Sequence, residues 1–220
     1  MERTPEPDLM NEQDQAAAYA AEDWSEPHGR IPGYFRERFP GFAAGRVLDL
    51  GCGAADVTVR FVQAFPAVTA LGVDGSNAML AFGRSRVRDE RLESRIRLEN
   101  RYLPDPSLEK QSFDAVISNS LLHHFLDPVA FWRTAANCVK PGGPILIVDL
   151  LRPADPESAI RLVEEHAKDA APVLRRDFLA SLHAAYTVDE VRRQLIAAGL
   201  PEFQVVQVDE LHLVAWGKMN

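Results

Sequence analysis

Two carboxylates that flank a glycine turn are the residues of this sequence whose types and spacing could do chemistry. Asp49 precedes the Gly-Cys-Gly turn at residues 51–53, and Asp74 follows it. Glycines permit a tight turn and let the backbone approach a ligand closely, and the N-terminus of a following helix offers unpaired N–H groups to an anionic group. Because a carboxylate only accepts hydrogen bonds, Asp74 can accept both hydroxyls of a ribose. The stretch therefore predicts a nucleotide-type binding corner.

The surrounding elements place these groups at one edge of a sheet. Residues 47–50 form a short apolar run typical of a buried strand, the segment from Asp56 has helical periodicity, and residues 70–73 form a second apolar run that ends at Asp74. Ligands bind outside the carboxyl ends of the strands in an open parallel sheet, so we expect Asp74 to face the ligand. A competing interpretation makes Asp74 the cap of a helix that begins near Ser76, although Ser76 could serve as that cap itself.

His123 and His124 are the side chains best suited to proton transfer. A neutral imidazole could accept a proton from a hydroxyl, thiol or amine near physiological pH. A structural role, in which one histidine packs the loop and bonds to backbone, is an equal alternative. Two adjacent histidines are not a metal site without further ligands, and no ligand spacing relates the other histidines considered, namely His166, His183 and His212. The sequence therefore predicts no metal site.

Composition bounds the class of protein. The 220 residues fit one domain with a sizeable core, and the net charge of −8 argues against a broad nucleic-acid surface, which needs a basic stripe. No apolar run has the length of a membrane span, and the N-terminus lacks the apolar core of a signal peptide. Cys52 and Cys138 are too few for a disulfide framework. The simplest interpretation is a soluble, cytoplasmic, acidic enzyme, and a homodimer is compatible with it.

Three motifs, in the right order, resemble those of the class I methyltransferases that use S-adenosylmethionine. Asp-x-Gly-x-Gly at residues 49–53 is similar to the first motif of that family, although Ala55 stands where a third glycine is usual. Asp74 matches the acidic residue that ends the family's second strand. Residues 113–125, followed by 139–143, are similar to the third element. Motif by motif, the chain looks most like the small-molecule methyltransferases that include quinone-biosynthesis enzymes.

The resemblance implies S-adenosylmethionine as the cofactor. Asp49 would help to hold the amino group of the methionine moiety, and Met79 would cover the adenine ring, where a core methionine is an equal alternative. Asn100 departs from the acidic residue that usually reads the adenine edge. Tyr19 would belong to a lid over the cofactor, with plain packing as the alternative. The expected cofactor contacts are Tyr19, Asp49, Gly51, Cys52, Gly53, Asp74, Gly75, Met79, Asn100, Asn119 and Ser120.

The implied activity is in-line transfer of the sulfonium methyl group to a small-molecule acceptor, mostly through proximity and alignment. His123 and His124 would act as a general base or position the acceptor, and a base is needed only if the acceptor arrives protonated. The residues that could shape the acceptor pocket are Asp149, Arg152, Arg176 and Tyr186. Structural ion pairs explain those charges equally well.

Three other functions remain open at this stage. An NAD-dependent oxidoreductase shares the glycine turn and the acid at Asp74, but Asp56 occupies the sixth position of the dinucleotide fingerprint, where glycine or alanine is expected. A non-catalytic binding module could keep the same fold as a partner subunit. A macromolecular acceptor such as RNA would show itself by salt-sensitive binding.

The expected fold is α/β: a three-layer, Rossmann-like arrangement with a seven-stranded, mostly parallel sheet, an antiparallel last strand and helices on both faces. Residues 1–44 would form an N-terminal tail and lid helices, with disorder over Met1–Asp8, a helix over 11–24 and a second over 34–39, separated by prolines and glycines. Residues 45–220 would form the methyltransferase core, with a helical insertion at about 153–186. Thr187 and Glu190 form a capping-box pattern.

Overall fold

Seven strands form one mixed sheet in the computed structural model, which describes residues 1–6 and 10–220. The strands are β1 Ala44–Leu50, β2 Ala67–Asp74, β3 Ile96–Asn100, β4 Ala115–Asn119, β5 Pro144–Leu150, β6 Gln204–Gln207 and β7 His212–Lys218. The helices are α1 Gln13–Ala21, α2 Ser25–Gly29, α3 Ile31–Arg38, α4 Asp56–Ala64, α5 Asn77–Asp89, α6 Pro128–Cys138, α7 Pro156–His166, α8 Pro172–Ala184 and α9 Val188–Ala198. Within the described ranges, none of the helices combines the length and hydropathy that a bilayer span requires.

The strand order is β3-β2-β1-β4-β5-β7-β6. Neighbouring strands from β3 to β5 are parallel, and β7 runs antiparallel to both β5 and β6. The predicted Rossmann-like sheet with one reversed last strand is therefore confirmed. The chain order reverses between β1 and β4, and the crevice outside the carboxyl ends at such a switch point is where ligands bind in open α/β sheets.

Helices cover both faces of this sheet because successive strand residues point to opposite sides. Leu48 and Leu50 of β1 belong to one buried cluster with residues of α6 and α9. Val47 belongs to a second cluster with residues of α3, α4 and α5. The side chains of the β1 carboxyl end are thus fixed by packing from both layers before any ligand arrives.

The capping pattern predicted at both ends of α9 is confirmed. Thr187 and Glu190 form the reciprocal capping box at the start of α9, and Gly199 ends that helix in the left-handed conformation. The predicted break near Pro27 and Pro32 is wrong, since α2 and α3 include these residues. Both prolines occupy the first turn of a helix, where backbone N–H groups have no intrahelical partner to lose.

The N-terminal segment packs against the core, and the predicted disorder is wrong for Met1–Glu6. The Arg3 guanidinium donates to the backbone oxygens of Ala184 at 2.6 Å and His123 at 2.7 Å, and it stacks over the Tyr186 ring at 4.2 Å. The polar composition hid this contact, because a single arginine with five donors can satisfy carbonyls far away in the sequence. Pro7 and Asp8, for which disorder was also predicted, lie outside the described residues.

Two helices, α7 and α8, follow β5 and pack on each other through a small cluster that contains Ala159, Leu162 and Leu182. They occupy the stretch for which a helical insertion was predicted. The division of the chain into lid and core regions at residue 44 stays a prediction.

Replacing Phe35 by alanine tests the packing that holds α3 on the core. Its ring is fully buried and lies 4.9 Å from the Phe61 ring, inside a cluster of five phenylalanines. We expect Phe35→Ala to lower the free energy of unfolding by about 3–5 kcal/mol, measured by denaturant titration. Val206→Ala, at a position that is 38% exposed, is the matched control and should change it by less than about 1 kcal/mol. Equal losses in both variants would contradict this packing.

Candidate functional site

A cavity of about 1200 Å³ opens at the carboxyl ends of β1, β2 and β4. Its walls include the glycine turn after β1, Asp74 at the end of β2, and Asn119 and Ser120 after β4. Residues of α1, α2 and α8 cover it from the other side. Most of the predicted cofactor contacts are therefore brought together, as the parallel strand ends require.

The turn after β1 depends on glycine at two positions. Gly51 has a φ of +70°, and a Cβ there would lie 2.7 Å from the Leu121 side chain. Gly53 has a φ of +51°, and its N–H donates to Asp74 Oδ2 at 2.8 Å. Cys52 packs inward against Gly72, and burial raises the pKa of its thiol well above the ordinary value. The Cys52 side chain therefore fills space beneath the turn, and residues 51–53 together line the cavity.

Asp49 is a buried carboxylate without a cationic partner. It is 1% exposed and accepts a hydrogen bond from Thr58 Oγ1 at 2.5 Å. The sequence had suggested no partner for Asp49; Thr58 provides one from the first turn of α4. In the described part of the chain, no basic side chain lies within ion-pair distance of it. Burial raises the pKa of Asp49 to about 7. A ligand that brings a positive charge to this wall of the cavity would supply the missing partner.

Asp74 is held by the backbone on both sides. Its Oδ2 accepts from Gly53 N, and its Oδ1 accepts from Ser76 N at 2.8 Å. Ser76 Oγ accepts from Met79 N, so Ser76 is the cap of α5 and the competing role for Asp74 is not used. Each carboxylate oxygen retains a second lone pair, which leaves capacity for two hydroxyl donors. Burial raises the pKa of Asp74.

The expected adenine side is only partly assembled. Met79 is buried and lies in the cavity wall, within reach of Gly53. The Asn100 amide instead donates to the backbone oxygens of Asp74 at 3.1 Å and Gly75 at 2.8 Å. Asn100 thus fastens the chain that follows β2 and is not among the residues that line the cavity. The wall at this point is formed by residues 101–104.

A stack of aromatic rings covers the cavity. The Tyr19 ring lies 4.7 Å from the Trp24 ring, which in turn lies 5.3 Å from the His28 ring. Trp24 Nε1 donates to the Tyr19 backbone oxygen at 2.8 Å. Burial, followed by the nearby carboxylates, raises the pKa of the Tyr19 phenol above its usual range. Tyr19 and Trp24 both line the cavity and pack on each other, and the role of Tyr19 in a lid stays a prediction.

Asp56 anchors this stack to the core. Its carboxylate lies 2.8 Å from His28 Nδ1, 2.7 Å from Arg60 Nε and 2.7 Å from Arg86 Nη1. Burial alone would raise the pKa of Asp56, but its bonds to His28 and Arg60 lower it to about 2. Asp56, which departs from the dinucleotide fingerprint at this position, therefore has a structural role, because it holds His28 on α4 and α5. His28 is not predicted as a site residue from the sequence. Its ring connects the Tyr19 and Trp24 rings to Asp56.

His123 is bound at both ring nitrogens. Its Nδ1 lies 2.6 Å from Asp149 Oδ1, and its Nε2 lies 3.1 Å from Glu6 Oε1. Burial opposes a charge on the ring, but Asp149 and Glu6 raise the pKa of His123 to about 10. A ring that already carries two protons at neutral pH accepts no third, which argues against His123 as the general base. Asp149 orients His123 instead of contacting an acceptor, and it also accepts from Leu122 N.

His124 and Glu6 form the other half of this group. His124 Nδ1 lies 2.9 Å from Glu6 Oε1, and its partly exposed ring lines the cavity. Glu6 is 7% exposed at its side chain, and its Oε2 accepts from Ser181 Oγ at 2.9 Å. Burial would raise the pKa of Glu6, but its contacts with the two histidines lower it well below the usual range. The polar, proline-containing N-terminal sequence gives no indication that Glu6 belongs to a site.

The three remaining candidates for the acceptor pocket make structural contacts and do not line the cavity. Arg152 Nη2 pairs with Glu190 at 2.7 Å, and Arg176 is exposed beside Asp177. The Tyr186 hydroxyl donates to the backbone oxygen of Phe125 at 2.7 Å. The charges at these positions are accounted for by ion pairs, which was the alternative interpretation.

Parts of the chain are similar to known proteins. Residues 47–143 match the family model described as a methyltransferase domain. A ubiquinone/menaquinone biosynthesis C-methyltransferase of Geobacter sp. (strain M21) is 32% identical over 114 residues, which are 51% of this chain and 48% of that protein. A ubiquinone biosynthesis O-methyltransferase of Acinetobacter baumannii (strain ACICU) is 29% identical over 119 residues, 53% of this chain and 48% of that protein. The chain spans about half the length of the curated relatives it matches.

Solved structures have the same fold. A SAM-dependent methyltransferase from Aquifex aeolicus superimposes with a TM-score of 0.70 at 16% identity, covering 95% of this chain and 99% of that one. The plantazolicin methyltransferase BpumL, solved with a triazolic desmethylPZN analog and SAH, gives a TM-score of 0.67 at 14% identity, covering 94% of this chain and 91% of that one. At these identities, the likeness establishes the fold alone.

The missing partner of Asp49 predicts an unusual pH dependence of stability. The folded chain keeps the Asp49 proton up to a pKa of about 7, whereas the unfolded chain loses it near 3.8. Asp49 therefore stabilises the fold below pH 4, and this contribution is lost as the pH rises to about 7. We expect Asp49→Asn to be more stable than the wild type at pH 8, by at most about 4 kcal/mol.

Urea unfolding of both proteins between pH 5 and 8 measures this difference, with Asp89→Asn at an exposed position as the control. A constant difference between Asp49→Asn and wild type across that range would contradict a raised pKa at Asp49.

Proposed function

We propose that this chain is a class I S-adenosylmethionine-dependent methyltransferase. It would bind S-adenosylmethionine at the carboxyl ends of β1 and β2 and transfer its methyl group to a small-molecule acceptor. The observation that carries the proposal is the buried, unpaired Asp49 carboxylate beside a glycine turn that Asp74 holds in place. Such a wall suits a ligand with both a cationic end and a vicinal diol.

The residues of the corner fit the parts of this cofactor. Asp74 would accept hydrogen bonds from the two ribose hydroxyls, and Asp49 would face the cationic amino-acid end. The backbone of residues 51–53 would pass beside it, because neither glycine presents a side chain. Met79 and Tyr19 would enclose the apolar base. When bound, the cofactor supplies an electrophilic methyl group on a sulfonium with a good leaving group.

The contribution of the chain is alignment and exclusion of water. The stack of Tyr19 and Trp24 over the cavity would keep water from the reacting groups, and Asp56 fixes that stack to α4 and α5. His124 is the remaining candidate for a base, since it lines the cavity and its Nε2 has no hydrogen-bond partner among residues 1–6 and 10–220. It is needed only if the acceptor arrives protonated.

The acceptor is inferred to be small and partly apolar. The cavity near His124 is walled by the apolar side chains of Leu121, Phe125, Leu126, Leu174 and Phe178. The relatives named for quinone biosynthesis support a small-molecule acceptor of this kind. A cytoplasmic location and a homodimer stay predictions.

Calorimetric titration with S-adenosylmethionine and S-adenosylhomocysteine tests the cofactor assignment. We expect one site per chain in the wild type and at least about 10-fold weaker binding in Asp74→Asn, because the amide loses one acceptor for a ribose hydroxyl and repels one of the two backbone N–H groups. Asp89→Asn should bind as the wild type does. Stoichiometric NAD binding in place of these two compounds, or binding that Asp74→Asn leaves unchanged, would refute the assignment.

The lid predicts a specific kinetic effect. In His28→Ala, Asp56 keeps its arginine partners, so we expect a folded protein whose aromatic stack is no longer tied to the core. S-adenosylhomocysteine should then dissociate several-fold faster, measured by stopped-flow tryptophan fluorescence, to which Trp24 contributes from the cavity wall. Glu37→Ala, an exposed position on α3, is the control. An unchanged dissociation rate in His28→Ala would show that the stack does not retain the cofactor.

A further inference from the structure

We propose that Glu6, His123 and His124 form a binding site for a divalent transition-metal ion at the acceptor end of the cavity. The three side chains offer Oε1, Nε2 and Nδ1, and these atoms all lie within 4.8 Å of one another. The sequence supplied the histidine pair without a third ligand. The fold supplies that ligand from the N-terminal segment.

The distances between the donor atoms suit one ion. Glu6 Oε1 lies 3.1 Å from His123 Nε2 and 2.9 Å from His124 Nδ1. Two ligands of a tetrahedral zinc ion, each about 2.1 Å from it, are about 3.4 Å apart. Glu6 Oε1 is about 0.3–0.5 Å closer to each ring nitrogen than tetrahedral ligands are, and a small movement of its side chain would admit an ion.

In the part of the chain that the structure describes, Glu6 Oε1 has ion-pair contacts with the two rings and no well-aligned hydrogen bond. It is buried, and no donor among the described residues is aligned on it, although both ring nitrogens are near. The other carboxylate oxygen accepts from Ser181 Oγ, which fixes the orientation of the group. An ion between the three donors would bind this buried oxygen directly, in place of two poorly aligned contacts.

Asp149 provides the support that a metal-binding histidine normally has. His123 Nδ1 bonds to Asp149 Oδ1 at 2.6 Å, and Asp149 is held by the N–H groups of Leu122 and Leu150 at 2.7 Å each. Once an ion displaces the Nε2 proton of His123, the ring that still donates Nδ1–H to Asp149 directs its Nε2 lone pair toward Glu6. Ligating histidines are usually oriented in this way.

Two imidazoles and one carboxylate form a ligand set for zinc and its neighbours in the first transition row. Three protein ligands leave at least one position open. Because His124 lines the cavity, the open position would face the acceptor. If the proposed methyl transfer is right, on which this last step rests, the ion would favour acceptors that carry an oxygen donor beside the methylated atom.

Titration of the metal-free full chain with Zn²⁺ alone, without cofactor, tests the site. We expect one ion per chain in the wild type. Glu6→Gln should weaken binding at least 10-fold, and Asp149→Asn should weaken it 10- to 100-fold. Glu2→Gln, an exposed carboxylate in the same segment, should bind as the wild type does. Near-ultraviolet circular dichroism establishes that each variant is folded.

The exposed group Glu165, His166 and Glu210 is the competing site on this chain. Absence of Zn²⁺ binding, binding that Glu6→Gln leaves unchanged, or binding that Glu165→Gln abolishes would overturn the proposal. Titration of the same samples with S-adenosylhomocysteine separates the two hypotheses, because a chain that binds Zn²⁺ through Glu6 but not this compound would refute the cofactor assignment and leave the metal site standing.

Discussion

A buried carboxylate without a cation is the constraint on which the candidate site depends. Asp49 lies at the end of β1, where packing from both faces of the sheet leaves it no freedom to reach water. Its partner within the chain is the hydroxyl of Thr58. Ionisation of Asp49 therefore costs the fold free energy, and a cationic ligand placed against the carboxylate would offset that cost. Asp74 provides the second constraint. Its carboxylate, which is proposed to bind a diol, also accepts from the Gly53 N–H and thereby holds the turn.

The opposite end of the cavity is built from a row of charges of alternating sign. Asp149, His123, Glu6 and His124 follow one another within hydrogen-bond or ion-pair distance. Three of them come from the strand ends and the loop after β4, whereas Glu6 comes from the N-terminus. The segment that carries Glu6 is attached through Arg3, whose guanidinium binds the backbone of the same histidine loop. This end of the cavity is therefore complete only when the N-terminal segment is in place.

The sequence predicted what is local and missed what is distant. The glycine turn, the serine cap of α5 and the capping box of α9 depend on residues within a few positions of each other, and the structure has all three. Thr58 and Asp49 are nine residues apart and still escaped notice, because a threonine in a helix carries no sign of its partner. Glu6 could not be found, since its contacts join segments separated by more than a hundred residues. Asn100 follows the third strand, where a contact to the adenine edge was predicted, but its amide donates to the backbone after β2.

Proton release on cofactor binding tests the central claim most directly. With an Asp49 pKa of about 7, close to half of the free protein carries that proton at pH 7, and a cation placed against the carboxylate would expel it. Calorimetric binding of S-adenosylmethionine at pH 7, in buffers of different ionisation enthalpy, should therefore report the release of up to about half a proton per chain. The same measurement on Asp49→Asn should report none. Tight binding to the wild type without proton release would contradict the role assigned to Asp49.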